Sequence, residues 1–346
     1  MNLTPPNTDS SLFNLLFESE IHIYIFTCQP DVYVSLYFQN GTMLEGHQLL
    51  GFGFFVIGLW HLFNHIKLHA LSSKSYTSTL WFPTTISRYL ELHFIMASCT
   101  IFIAMELFIA PIHHQPLDPD GTIPTTHLHN FEHSSMAMAF LVYAIFAIVL
   151  DRIKCTKAQH ELTHLLGAIA FTQQFLLIHL HSRDHMGPEG QYHFLLQLLI
   201  IISLSTTLMG IGFPKSFLVC FVRSVSIIFQ GVWLMVMGFL LWTPGFQAKG
   251  CSMHLDESDE YVVRCSDHES LHRAISLVNI QFSFLLILVT IFAMSFYLIL
   301  VRRYGGEKVE YVFLTKEEHY REEDGFVKPN NDVESQSQEK SMQEQI

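Results

Sequence analysis

Charge is the scarcest commodity in this chain: only 14% of its 346 residues are Asp, Glu, Lys or Arg. An ordinary soluble protein carries roughly a quarter. Residues 1–42 contain no Lys or Arg at all, so the basic start of a secretory signal is missing. The six cysteines (Cys28, Cys99, Cys155, Cys220, Cys251 and Cys265) form no CxxC pair, which argues against a cysteine-based zinc finger. There is no GxSxG nucleophile elbow and no Gly-rich phosphate loop, while His160-Glu161-Leu162-Thr163-His164 has HExxH spacing at a basic helix start. Those two absences set aside the common serine hydrolases and P-loop enzymes. A DxD-type glycosyltransferase motif in a soluble domain is also missing. The formal charge of -12 disfavours a nucleic-acid partner.

What is present is apolar. Half of the residues are hydrophobic, gathered in blocks of about twenty, the length a helix needs to cross hydrocarbon. The stretch Gly46–His69 illustrates the pattern and its tension. It is greasy along most of its length, yet it carries His61, His65 and His69 at four-residue steps, on one face of a helix. Titratable groups inside a membrane helix face neighbouring helices or function.

Seven spans are expected, roughly 48–67, 88–110, 129–150, 160–181, 191–212, 216–242 and 273–301. Pro83, Pro111, Pro188, Pro214 and Pro244 fall between them and support the boundaries. The expected fold is an all-α polytopic bundle over residues 43–303, in contact with membrane lipids. A poorly ordered, non-spanning extension (1–42) precedes it, and a disordered acidic tail (304–346) follows. Met43 stands just before the membrane pattern as an alternative start. Asn40-Gly41-Thr42 is a glycosylation sequon close to the membrane. Gly51, Gly53 and Gly58 offer close helix approach without GxxxG spacing.

Lys67, Lys74, Arg88, Arg152, Lys154, Lys157, Lys215, Arg302 and Arg303 gather in the loops of one side. That bias predicts a cytosolic C terminus and an outer or lumenal N terminus, in an endomembrane or the plasma membrane. Cys251 and Cys265 then share an oxidising loop, where a disulfide is expected. The acidic tail would be open to cytosolic partners and contains Tyr311-Val312-Phe313-Leu314, in the form of a tyrosine sorting signal.

Alternating helix direction sorts the polar residues into two layers. The outer one holds Glu106, His129, Glu132, His133, His179, His181 and His193. Imidazole with carboxylate suits zinc, and Glu106, His133, His179, His181 and His193 are the candidate ligands, drawn from four helices as in bundle metal sites. The bland alternative is that histidines near helix ends bond loop carbonyls or sit at the interface. The inner layer holds His61, His65, Glu91, His160, His164 and Arg223. Here Glu91 and Arg223 are expected to form a structural ion pair beside His61 and His65, and His160–His164 to lie on a solvated face. Gln230, Asn279 and Gln281 read as hydrogen-bond glue between helices.

Three functions are compatible with this pattern: a metal-dependent intramembrane hydrolase acting on a lipid, a proton- or metal-coupled transporter or channel, and a non-enzymatic sensor or scaffold. The run Arg223-Ser224-Val225-Ser226-Ile227-Ile228-Phe229-Gln230-Gly231-Val232-Trp233, with Met237-Gly238-Phe239, resembles the sixth helix of the transmembrane protein 45 family. In plants its members are called viral-response family proteins. Gly46-His47, Gly58-Leu59-Trp60-His61, His133-Ser134 and His179-Leu180-His181 also match, as do Glu91, Glu106 and His193. The resemblance covers roughly 43–303. It implies a multi-pass protein of endomembranes or the plasma membrane and brings no established activity. Family chains tend to begin just before Gly46-His47, and Gln173-Gln174 stand where an acid is expected in the fourth helix.

Overall fold

The computed structural model describes residues 30–111, 114–153, 158–184, 187–243, 245–255 and 261–305; within these, the side chains of 30–43, 183, 184, 255 and 261 are outside the description. The expected disordered tail, its sorting signal and most of the expected N-terminal extension lie outside the described residues.

Among the described residues, seven helices are long and apolar enough to cross a membrane. They are α1 (Pro30–Leu71), α2 (Leu90–Ala104), α3 (Leu128–Ile153), α4 (Gln159–Asp184), α5 (Pro188–Gly212), α6 (Phe217–Trp242) and α7 (His268–Tyr304). α1 reaches back to Pro30, into the stretch expected to be poorly ordered, although the spanning part begins at Leu44. α2 continues through a single π turn, Met105–Ile109, closed by Ala110 N bonding to Met105 O at 2.9 Å. Between α6 and α7 lies the one pair of strands among the described residues. Here β1 (Cys251–Leu255) and β2 (Tyr261–Cys265) pair antiparallel, with Cys251 opposite Cys265 and the two joined by a disulfide.

α6 is the central rod, its apolar and small residues buried nearly all round, including Trp233, Met237 and Ile228. Its main partner is α1. The two backbones approach where glycines face each other. A Cβ on Gly231 would fall 2.5 Å from Phe55 N, and one on Gly51 would fall 2.7 Å from Gly231 O. Gly58 makes the same kind of approach to Ile228, whereas Gly53 faces open space. Small residues gain van der Waals contact where lipid supplies no hydrophobic drive between helices.

α4 packs on α5 and α2 on α3, while α7 lies at the periphery with Phe284, Leu288, Ile291 and Leu298 exposed. Exposed apolar side chains of this kind suit a hydrocarbon solvent. Gly187, at φ 105°, supplies the turn that lets Pro188 start α5 directly after α4.

Candidate functional site

Four helix ends and α1 converge at the end of the bundle that carries Glu106. The π turn of α2 inserts one residue into the helical repeat and places Glu106 on the buried side. Such turns recur at functional positions. Asn130 Nδ2 donates to Glu106 Oε2 at 2.9 Å, and His133 Nδ1 lies 3.5 Å from Oε1.

Beside His133 on α3, Glu132 Oε2 lies 3.4 Å from His129 Nδ1 and 3.3 Å from His181 Nδ1. His181 is the hub: its ring centroid is 4.6 Å from His129, 5.7 Å from His133 and 5.0 Å from His193. At the start of α5, His193 Nδ1 donates to Glu189 O at 3.0 Å. His47 of α1 closes the other side, stacked on Trp242 at 4.8 Å and edge-on to His133 at 6.2 Å.

Two sets of three residues bring one ligand atom each to within 4.8 Å of one another: His129, Glu132 and His181, and His181, Glu189 and His193. The second set is buried throughout. Its donors, two imidazoles and one carboxylate, are a set that binds zinc with a coordination position left over. Each imidazole is oriented through Nδ1, His181 by Glu132 and His193 by a backbone carbonyl. Those anchors leave Nε2 as the ring nitrogen available to a ligand, the arrangement typical of metal-binding histidines. A cavity of about 40 Å³ adjoins, lined by His47, Glu106, His133, Gln174 and His193.

Four of the five candidate ligands read from the sequence meet here: Glu106, His133, His181 and His193. His179 does not. It is exposed, stacked on Phe175, and donates from Nδ1 to Gln197 Oε1 at 3.1 Å, because two residues along a helix separate side chains by about 200°. Glu189 escaped the sequence reading, although its i, i+4 spacing to His193 put both on one face of α5.

The inner layer is rearranged more deeply. Glu91 does not pair with Arg223. Its Oε1 lies 2.6 Å from His61 Nε2, and its Oε2 accepts from Trp60 Nε1 at 3.1 Å and from Phe82 N at 3.0 Å. Arg223 instead directs Nη1 to His164 Nδ1 at 3.4 Å and Nη2 to Cys220 Sγ at 3.8 Å. His164, expected on a solvated face, is therefore buried against α6, with His160 stacked edge-on at 4.5 Å.

His65 Nδ1 takes the Tyr76 hydroxyl at 2.9 Å. Tyr76 lies in the loop after α1, and burial pushes its phenol above the ordinary range, keeping it a neutral donor. Gln230 leaves this group altogether and donates to Ser203 Oγ, which also meets Ser226 Oγ at 2.8 Å. Asn279 and Gln281 do bridge helices, to Gln191 at 2.6 Å and Tyr192 at 2.7 Å.

A second cavity, of about 150 Å³, lies against this inner group. It shares Leu50, Phe54, Phe102, Ala137 and Phe140 with the smaller one.

Fold and clusters together define a multi-pass membrane protein with a histidine- and glutamate-lined interior. The family model described as a family of unknown function, DUF716, matches residues 160–298. That segment runs from the start of α4 into α7 and contains His181, Glu189, His193 and Arg223.

Proposed function

We propose that this chain is a metal-dependent hydrolase acting on an acyl lipid within the membrane, with zinc held by His181, Glu189 and His193. The observation that carries the reading is the buried His–Glu–His set with a cavity beside it. Zinc bound there supplies a water acidified enough to attack near neutral pH. Glu132 keeps the His181 ring in its coordinating orientation.

Glu106 and His133 face the same cavity as His193. They form a pair suited to take the proton of the attacking water and return it to the departing alcohol. The new bond joins the water oxygen to the acyl carbon. The acyl C–O bond breaks, giving a carboxylic acid and an alcohol. The positive-inside bias places this cluster at the outer or lumenal face and leaves the acidic tail to cytosolic partners. The likeness to the transmembrane protein 45 family draws its most specific run from the segment the DUF716 model matches.

Elemental analysis of purified protein beside an acyl-lipid hydrolysis assay tests this. About one zinc per chain is expected, retained in His179→Ala and lost together with hydrolysis in Glu189→Gln and His193→Ala. A metal-free wild type that still releases fatty acid sinks the reading. The two cavities in series favour one other function, a proton- or metal-coupled transporter. Zinc- or pH-driven flux in proteoliposomes, without lipid hydrolysis, would select it.

A further inference from the structure

The inner cavity holds a charge the protein does not answer. Arg223 sits in the second turn of the apolar α6 and is buried to 6% exposure. A guanidinium stays protonated in any protein environment. Its side-chain partners are the neutral groups His164 Nδ1 and Cys220 Sγ, and among the described residues no carboxylate pairs with it. Glu91, the carboxylate among the residues lining the cavity, spends its oxygens on His61, Trp60 and Phe82 N. Beside Arg223, His164 Nε2 is buried without a hydrogen-bond partner. A buried cation with unfilled donors facing open space is costly unless an anion completes it.

The rest of the cavity specifies the remainder of that anion. From the polar end the walls continue as Ile57, Phe54 and Leu50 on α1 and Ile95, Cys99 and Phe102 on α2. Along α1 this wall runs from His61 to Leu50, eleven residues or about 16 Å. That is close to the depth of one leaflet's chains, half of the ~30 Å hydrocarbon core. One guanidinium balances one negative charge, and Glu91 on the same wall would repel a second. The cavity, of about 150 Å³, is lined chiefly by apolar side chains beyond this polar end.

We infer that Arg223 anchors a binding site for a single-chain monoanionic amphiphile, a fatty carboxylate, with its head on Arg223 and His164 and its chain between α1 and α2. The head site at Arg223 and His164 is separate from the metal-ligand set, although the chain walls Leu50, Phe54 and Phe102 also line the smaller cavity. Binding there requires no catalysis, so it is tested independently of the hydrolase reading.

Equilibrium binding of radiolabelled palmitate to the purified, delipidated full chain tests it. Wild type binds saturably at about one per chain. Methyl palmitate, uncharged but of equal chain length, binds at least about ten-fold more weakly, as does palmitate to Arg223→Met, because a charge-assisted contact is gone. Arg223→Lys falls between. Palmitate raises the melting temperature of wild type but not of Arg223→Met. If Arg223→Met does not fold, the comparison of palmitate with its methyl ester on wild type decides alone. Equal binding of acid and ester, binding indifferent to Arg223→Met, preference for phosphatidylglycerol over palmitate, or no saturable binding would each overturn the assignment.

Discussion

His61 and Glu91, thirty residues apart in sequence, meet at 2.6 Å inside the bundle. The carboxylate also ties down the indole of Trp60 and the backbone of Phe82. One side chain thus clasps α1, α2 and the loop between them. Glu91→Ala strands an imidazole, an indole N–H and a backbone N–H, and is expected to cost about 3 kcal/mol. Thermal unfolding in detergent reads this loss. A variant as stable as wild type would show that the clasp carries no weight.

The glycine seam between α1 and α6 gives a paired test. Gly231→Ala places a methyl group 2.5 Å from the Phe55 backbone nitrogen, so the helices must part, at about 1–3 kcal/mol. Gly53→Ala meets nothing within 4 Å and is expected to be neutral or to stabilise by up to about 1 kcal/mol. Similar melting temperatures for the two variants would refute the close approach.

The disulfide closes the hairpin before α7 across 14 residues. Removing it by Cys251→Ser with Cys265→Ser relaxes the unfolded chain and is expected to cost about 3 kcal/mol. Dithiothreitol should lower the melting temperature of wild type and leave the double variant unmoved.

Asp267 caps α7, accepting from Ser270 N at 2.8 Å. That backbone hydrogen bond, with help from the Ser266 and Ser270 hydroxyls, holds its carboxyl below the usual range. A depressed folded pKa means the stabilisation is present above the unfolded carboxylate range and disappears as pH falls through the folded value. Acidification below about pH 4 should therefore loosen the start of α7. Asp267→Asn keeps a capping oxygen and should flatten this pH dependence. Hydrogen exchange at the Ser270 amide provides the readout, and an Asn variant with the wild-type acid transition would exclude Asp267 as its source.

The seven spans were legible because a bilayer imposes the same demand everywhere: about twenty apolar residues with every backbone group bonded inside the helix. Prolines such as Pro83 and Pro214 marked the joints. The convergence of Glu106, His133, His181 and His193 was also within reach, since depth follows from residue count along straight rods. Azimuth was not. His179 and His181 have nearly the same depth, yet only His181 turns inward. Glu189 lies outside the expected fifth span, which begins at 191, and its bearing on His193 shows only because α5 starts at Pro188.

By itself the sequence determined that this protein is a polytopic membrane bundle, that histidine and carboxylate lie buried within it, and that two cysteines share one loop. Only the tertiary structure decided which groups meet: Glu91 with His61 instead of Arg223, His164 against Arg223 instead of water, and Glu189 beside His181 and His193. Hydrophobic length is a property of each segment alone, whereas partnership depends on helix order and rotation. Those are set by glycine contacts and packing between segments distant along the chain.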